Sequence, residues 1–280
     1  MTPLLREITA VSRLELAEIR RSRWILFAGG VYLVLAGGFV LVGLRESTVL
    51  GFTGMGRALM SFSHALLLAL PLLALSATGQ VIPRARDDGS LELFFGHPVS
   101  RAGYFTAIGL TRYLALLLPY LISVLGMALF GRVIFGQAIP WGVLGRAALT
   151  GAALLWSFVA IGLAISAGVR SQARAATYVL VAWAAAVALV DFALIGAMLR
   201  WHLTPQAVFL LAAANPVQAA RMGLLSGVNP ELSVLGPVGF YLATELGQGA
   251  LYALGVLWPL ALGWLSFFGA LRLFQRRDLV

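Results

Sequence analysis

The chain has 280 residues, of which 60% are hydrophobic and 11% charged, too little polar surface to cover a water-soluble globule, whose charged share runs to roughly a quarter. Its twenty basic residues are all arginine against eleven acids, for a formal net charge of +9, and they flank apolar runs, where they set membrane topology and meet anionic headgroups rather than nucleic acid. Cysteine is absent, which excludes disulfides, thiolate metal sites and cysteine nucleophiles, and the absence of lysine excludes a Walker A phosphate loop, so ATP hydrolysis by that route must reside in another subunit.

In chain order, residues Thr2–Arg23 alternate Leu4, Ile8, Val11, Leu14 and Ile19 with Arg6, Glu7, Arg13, Glu15, Glu18, Arg20 and Arg21. That rough helical stripe predicts an amphipathic helix lying in the membrane interface. The first long apolar run starts only at Trp24, with no small-residue cleavage site behind it, so it reads as a retained membrane helix and not as a signal peptide. Six spans of about 20 residues are expected: Trp24–Leu44, Ala58–Ile82, Tyr113–Gly131, Ala147–Val169, Ala175–Leu199 and Gly249–Leu271. With the N-terminus inside, most arginines fall on the cytoplasmic side, which places both termini in the cytoplasm of a bacterial inner membrane. No repeat or low-complexity linker divides residues 1–280, so the fold class expected is a single all-α membrane domain.

Two connections stand out. Pro83–Arg101 is densely charged and cytoplasmic. Arg200–Gln248 is external, sparsely charged and broken by Pro205, Pro216, Pro230 and Pro237; apolar pieces too short to span, such as Ala207–Ala214, read as re-entrant or interfacial helices.

No catalytic constellation or metal-ligand spacing emerges. His64 is the one histidine inside a span, where a satisfied interior side chain competes with a pathway role. Asp191 is the one carboxylate inside a span; it should face the bundle and meet an arginine such as Arg132, Arg146 or Arg200, as a structural ion pair or a coupling residue. Arg112 and Arg146, near span ends, should snorkel to the interface. An intramembrane phosphotransferase would need clustered acids or histidines that Asp191 alone does not provide, and a plain membrane anchor would hold no ATPase. The strongest local signal is Arg86-Asp87-Asp88-Gly89-Ser90-Leu91-Glu92-Leu93-Phe94-Phe95 followed by Gly96-His97-Pro98-Val99-Ser100-Arg101. Asp87 and Asp88 suit the start of a short helix. Exposed Leu91, Leu93, Phe94 and Phe95 inside a charged rim then fit a knob for a cytosolic partner better than a helix flat on headgroups.

This segment resembles the type-2 ABC exporter permeases, in which an acidic residue precedes Gly-Thr-Leu-Glu, a few apolar residues and Pro-Val-Ser-Arg. Here Asp88 to Phe95 and Pro98-Val99-Ser100-Arg101 carry the pattern, with Ser90 for the commoner threonine. The resemblance implies a half-transporter of six spans acting as a homodimer, a coupling helix seated in a cleft of an ABC ATPase subunit that binds the ATP and Mg, and no cofactor in this chain. The chain is also similar to the branch of that family serving nitrous oxide reductase maturation, through Gly51-Phe52-Thr53, Val190-Asp191-Phe192, Asn215-Pro216 with Arg221, and Leu225-Ser226-Gly227. That likeness implies a NosF-like ATPase, a NosD-like periplasmic protein contacted through Asn215, Pro216 and Arg221, and support for copper and sulfur delivery. Gln218, Arg84 and Arg86 stand where acidic residues are usual in that branch, which leaves a general exporter of lipid, drug or glycan as the alternative.

Overall fold

A computed structural model of the chain describes residues 3–21, 24–50, 54–136, 138–190, 192, 193, 196, 200, 204–226 and 247–277. Among these the secondary structure is helical, with no strand. Helix α1 (Pro3–Arg21) turns Val11, Glu15 and Ile19 inward, positions spaced i, i+4, i+8 along one face. Leu14, expected on that stripe, is exposed instead. Helix α2 (Trp24–Leu50) and helix α3 (Gly54–Thr78) are the first two long apolar helices. A turn at Gly79 and Gln80 leads into α4 (Val81–Asp87), and a second turn at Asp88 and Gly89 leads into α5 (Ser90–Phe95).

Helix α6 (Arg101–Phe135) is 35 residues long and starts twelve residues before the expected span. The reason is local: the Ser100 side chain accepts a hydrogen bond from the Gly103 amide, a cap that starts the helix well ahead of the apolar run. At about 1.5 Å per residue it is roughly 52 Å long, more than the ~30 Å of hydrocarbon, so it is longer than a crossing requires. Helix α7 (Trp141–Gly168) follows, then α8 (Gln172–Ala184), which runs on into a π-helical turn at Ala185–Leu189. Two short helices, α9 (Pro205–Ala214) and α10 (Pro216–Leu225), are bent against each other by 114°, each with proline at its first position, where the missing amide is harmless. Helix α11 (Gly247–Arg276) closes the chain.

Five helices among the described residues are long and apolar enough to cross a membrane, up to six with the bent α9–α10 pair taken as one broken span. Helix α2 is 27 residues long, also sufficient in length. The chain is thus a multi-pass membrane protein. Two of the short helices expected before the last span are seen as α9 and α10, while residues 227–246 lie outside the described residues.

Helix α7 sits at the centre, packed between α3 and α11. Small residues permit this close packing, as they do where lipid supplies no hydrophobic drive between helices. Any Cβ on Gly162 would strike Thr78 of α3, and any Cβ on Gly263 of α11 would lie 2.9 Å from the Trp156 indole nitrogen of α7. Helices α10 and α11 cross at two glycines, where a Cβ on Gly223 would sit 2.9 Å from the Gly255 Cα.

Candidate functional site

The candidate coupling segment is a short bracket, α4–turn–α5, hung from the C-terminal end of α3. Its first orphan amide is satisfied across the bundle: the Ile82 N–H donates to Ser166 Oγ of α7 at 2.9 Å, fully buried. Helix α4 ends at Asp87, and Asp88 caps it. The two acids therefore close one helix and do not open the next, contrary to the expectation from sequence. Gly89 takes φ +70°, a left-handed conformation that glycine adopts without strain, and Ser90 Oγ donates back to the Ala85 carbonyl at 3.1 Å. The bracket is tied sideways by Gln172 Nε2 of α8, which donates to Asp87 Oδ2 at 2.7 Å. The Arg84–Asp88 pair, at 3.6 Å and 61% exposed on both sides, adds little.

Helix α5 has one outward face. Leu93 is 71% exposed beside exposed Glu92, whereas Leu91 is 1% exposed and belongs to the bundle core. The expectation that Leu91 is displayed is therefore corrected: it anchors the bracket. Phe94 and Phe95 are half-buried, their rings 5.2 and 5.5 Å from that of Tyr104 on α6. From there aromatic contacts continue inward through Phe274, Phe105, Phe267 and Trp156, with centroids 5.3 to 6.3 Å apart. Arg86, Gly89 and Ser90 are half-buried, and Asp87 and Asp88 are exposed.

The Pro98-Val99-Ser100-Arg101 run has a structural explanation. Ser100 caps α6 and also donates through Oγ to Glu7 Oε2 of α1 at 2.6 Å. Arg101 Nη1 donates to the Gln275 and Arg277 carbonyls at the end of α11, at 2.8 and 3.1 Å. Arg277 in turn donates to the Ala167 and Gly168 carbonyls at the end of α7. Arginine is suited to such helix ends, where unpaired carbonyls carry the negative pole of the dipole.

Beneath the bracket lies a polar cavity of about 320 Å³, lined in part by Glu15, Glu18, Arg84, Asp88, Tyr104 and Arg112. Arg112 does not snorkel. It turns inward, placing Nη2 2.5 Å from Glu15 Oε1 with side chains 17% and 9% exposed, and also donates to the Ala77 carbonyl at the end of α3. Burial pushes the Glu15 carboxyl above its ordinary range, only partly opposed by the Arg112 charge. The other arginine expected to snorkel, Arg146, lies 4.9 Å over the Tyr252 ring of α11.

The remaining sequence candidates do not join this site. His64 is half-buried on α3. Asp191 lies outside the described residues. Asn215 and Pro216 are buried, and this corrects their reading as external partner contacts. The Asn215 side chain accepts from the Val217 amide at 2.9 Å and donates to the Ala186 carbonyl in the π-helical turn at 2.7 Å. Arg221 is half-buried. Sequence reasoning missed Tyr104 and Phe274 as supports of the bracket, Glu7 as a tie to the start of α6 and Glu15 as the buried partner of Arg112. The signal for Glu15 was its place between Val11 and Ile19 on the apolar face of α1.

Comparison with known proteins bears on the whole chain. The family model for ABC-2 family transporter proteins matches residues 9–279. The chain is 27% identical over 279 residues to a probable ABC transporter permease protein NosY of Stutzerimonas stutzeri, covering 97% of this chain and 99% of that one. It is 29% identical over 229 residues to the corresponding protein of Pseudomonas aeruginosa, covering 79% and 82%.

Proposed function

The chain belongs to the ABC-2 family of transporter proteins and is an ABC transporter permease subunit, and from that premise we propose that it turns ATP-driven closure of a separate ATPase pair into movement of its spans through the bracket Arg86–Phe95. The observation that carries the reading is the outward apolar side chain of α5, Leu93 at 71% exposure, on a bracket whose Glu92, Asp87 and Asp88 are also exposed and whose other face is anchored by Leu91 and the phenylalanine rings. An apolar anchor in a polar rim is how a compact interface concentrates its energy. The working unit is a homodimer with both termini in the cytoplasm.

The same proposal extends to cargo. Similarity along nearly the whole chain to proteins named NosY favours service to nitrous oxide reductase maturation, with a NosF-like ATPase, a NosD-like periplasmic protein, and copper or sulfur delivery as the outcome. The bracket's outward Leu93 and its continuous ring contacts to α7 and α11 support force transmission to a periplasmic partner as the mode of that service.

The test is co-purification with the ATPase and ATP turnover in the reconstituted complex. Leu93→Ala with Glu92→Ala should reduce ATPase capture at least about fivefold, the loss of one interface anchor, while the melting temperature of the isolated chain stays put because Leu93 touches little. Leu91→Ala should instead destabilise the chain by about 2–5 kcal/mol, as buried leucine truncations do. Full capture and full turnover with the Leu93/Glu92 pair removed would end the coupling proposal.

A further inference from the structure

Between α1, α2 and α6 runs a groove of about 950 Å³ that the coupling mechanism does not use. Its α2 wall is Gly29, Tyr32, Leu33, Ala36 and Gly37, the i, i+3, i+4, i+7, i+8 stripe of one helix face. A Cβ added at Gly29 or Gly37 would meet nothing within 4 Å, so these glycines widen the groove and do not bring helices together. The α6 wall runs from Leu110 to Phe130, and twenty steps of about 1.5 Å make roughly 30 Å, the thickness of the hydrocarbon layer. One end is closed by α1, which presents Ser12 and the exposed Arg13.

The contents follow from size and polarity. Water at ~30 Å³ per molecule needs two to four polar partners each, and a wall that is apolar apart from a few groups such as Thr111 and Ser123 offers too few to fill the groove. A slender apolar chain fits, and in a bilayer acyl chains are the surrounding solvent. The positive charge at the interfacial end selects the headgroup, since one arginine near the surface attracts anionic lipid appreciably.

We infer that this groove is a phospholipid site, with one acyl chain along the Gly29–Gly37 face and an anionic headgroup phosphate on Arg13. Binding there would join the interfacial helix α1, which is tied through Glu7 to Ser100 and through Glu15 to Arg112, to the outer wall of α6.

The test uses the full chain in nanodiscs of equimolar phosphatidylglycerol and phosphatidylcholine, transferred to mild detergent and read by native mass spectrometry for retained lipid. The wild-type chain should retain phosphatidylglycerol over phosphatidylcholine about fivefold, the factor carried by ~1 kcal/mol of attraction from one arginine. Arg13→Gln should equalise the two lipids without emptying the site. Gly37→Leu should displace both lipids, and Leu118→Trp, from the opposite wall and 57% exposed, should do the same should the leucine variant fail to fold. Equal retention of both lipids by the wild type, or unchanged retention in the groove-filling variants, overturns the inference. The natural chain lacks cysteine, so Gly37→Cys offers a clean control: an efficient disulfide between two copies would assign the groove to a second copy and likewise overturn it.

Discussion

Replacing Arg112 by glutamine removes the counter-charge from a carboxyl group only 9% exposed, and the geometry sets the size of the effect. At 2.5 Å two unit charges attract by roughly 6–7 kcal/mol at an effective dielectric of about 20. Desolvation takes back several kcal/mol for each ion, so the intact pair adds little net stability, whereas removing one partner strands the other at about 3–5 kcal/mol. Arg112→Gln should lose that amount near pH 7. Glu15→Gln should lose no more than about 1 kcal/mol, because burial already raises the Glu15 pKa above its ordinary 4.5 and a neutral amide suits the site. Arg112 would still hold the Ala77 carbonyl and reach the polar cavity.

The pH dependence has a definite sign. A raised folded-state pKa means the folded chain binds the proton more tightly than the unfolded one, so stability from this group grows as pH falls from 7 through the raised value and is fully present below 4.5. Glu15→Gln should abolish that dependence. Arg112→Gln should recover most of its loss on acidification, since a proton then replaces the guanidinium. Thermal melts in mild detergent between about pH 7 and 5 read all three chains. Equal losses for the two substitutions at pH 7, or no recovery of Arg112→Gln at pH 5, would refute the reasoning.

Three further substitutions test the bundle. Gly223→Val should push α10 from α11 at the Gly255 crossing and lower stability by about 1–3 kcal/mol, visible as a lower melting temperature and faster proteolysis after α10. Asn215→Ala removes both a helix cap, worth about 1 kcal/mol, and the donor to the Ala186 carbonyl, worth about 1–3 kcal/mol where the acceptor stays buried; hydrogen exchange should rise across Ala185–Leu189 and Pro216–Leu225. Ser100→Ala should lose about 1 kcal/mol and loosen the Glu7 tie, with increased exchange at the start of α6, while Ser100→Thr retains the cap and shows neither effect.

The long apolar helices, the amphipathic start and the charged bracket were legible because each is a pattern over many residues: apolar length, helical period and charge density. What stayed hidden depends on orientation. Six residues of α5 span under two turns, too few for a periodicity to say that Leu91 faces in and Leu93 out. Arg112 near a span end reads as snorkelling until α1 is seen to bring Glu15 against it. The Asn215-Pro216 pair reads from sequence as an external partner contact, yet its side chain is turned inward to the Ala186 carbonyl of the π-helical turn. The start of α6 was missed because a cap at Ser100 extends a helix beyond what apolar length reveals. Asp191, prominent in sequence, lies outside the described residues.

The train of rings from Phe95 through Tyr104, Phe274, Phe105 and Phe267 to Trp156 has a mechanical meaning. Closely packed aromatic plates resist sliding past one another, so the small bracket, the start of α6, the end of α11 and the middle of α7 behave as one stiff beam. Helix α11 carries Gly255, on which the bent α9–α10 pair rests through Gly223. Under the proposed coupling, a nudge at the bracket would swing the far end of that beam, and the pair riding on it, as the short arm of a seesaw lifts the long one.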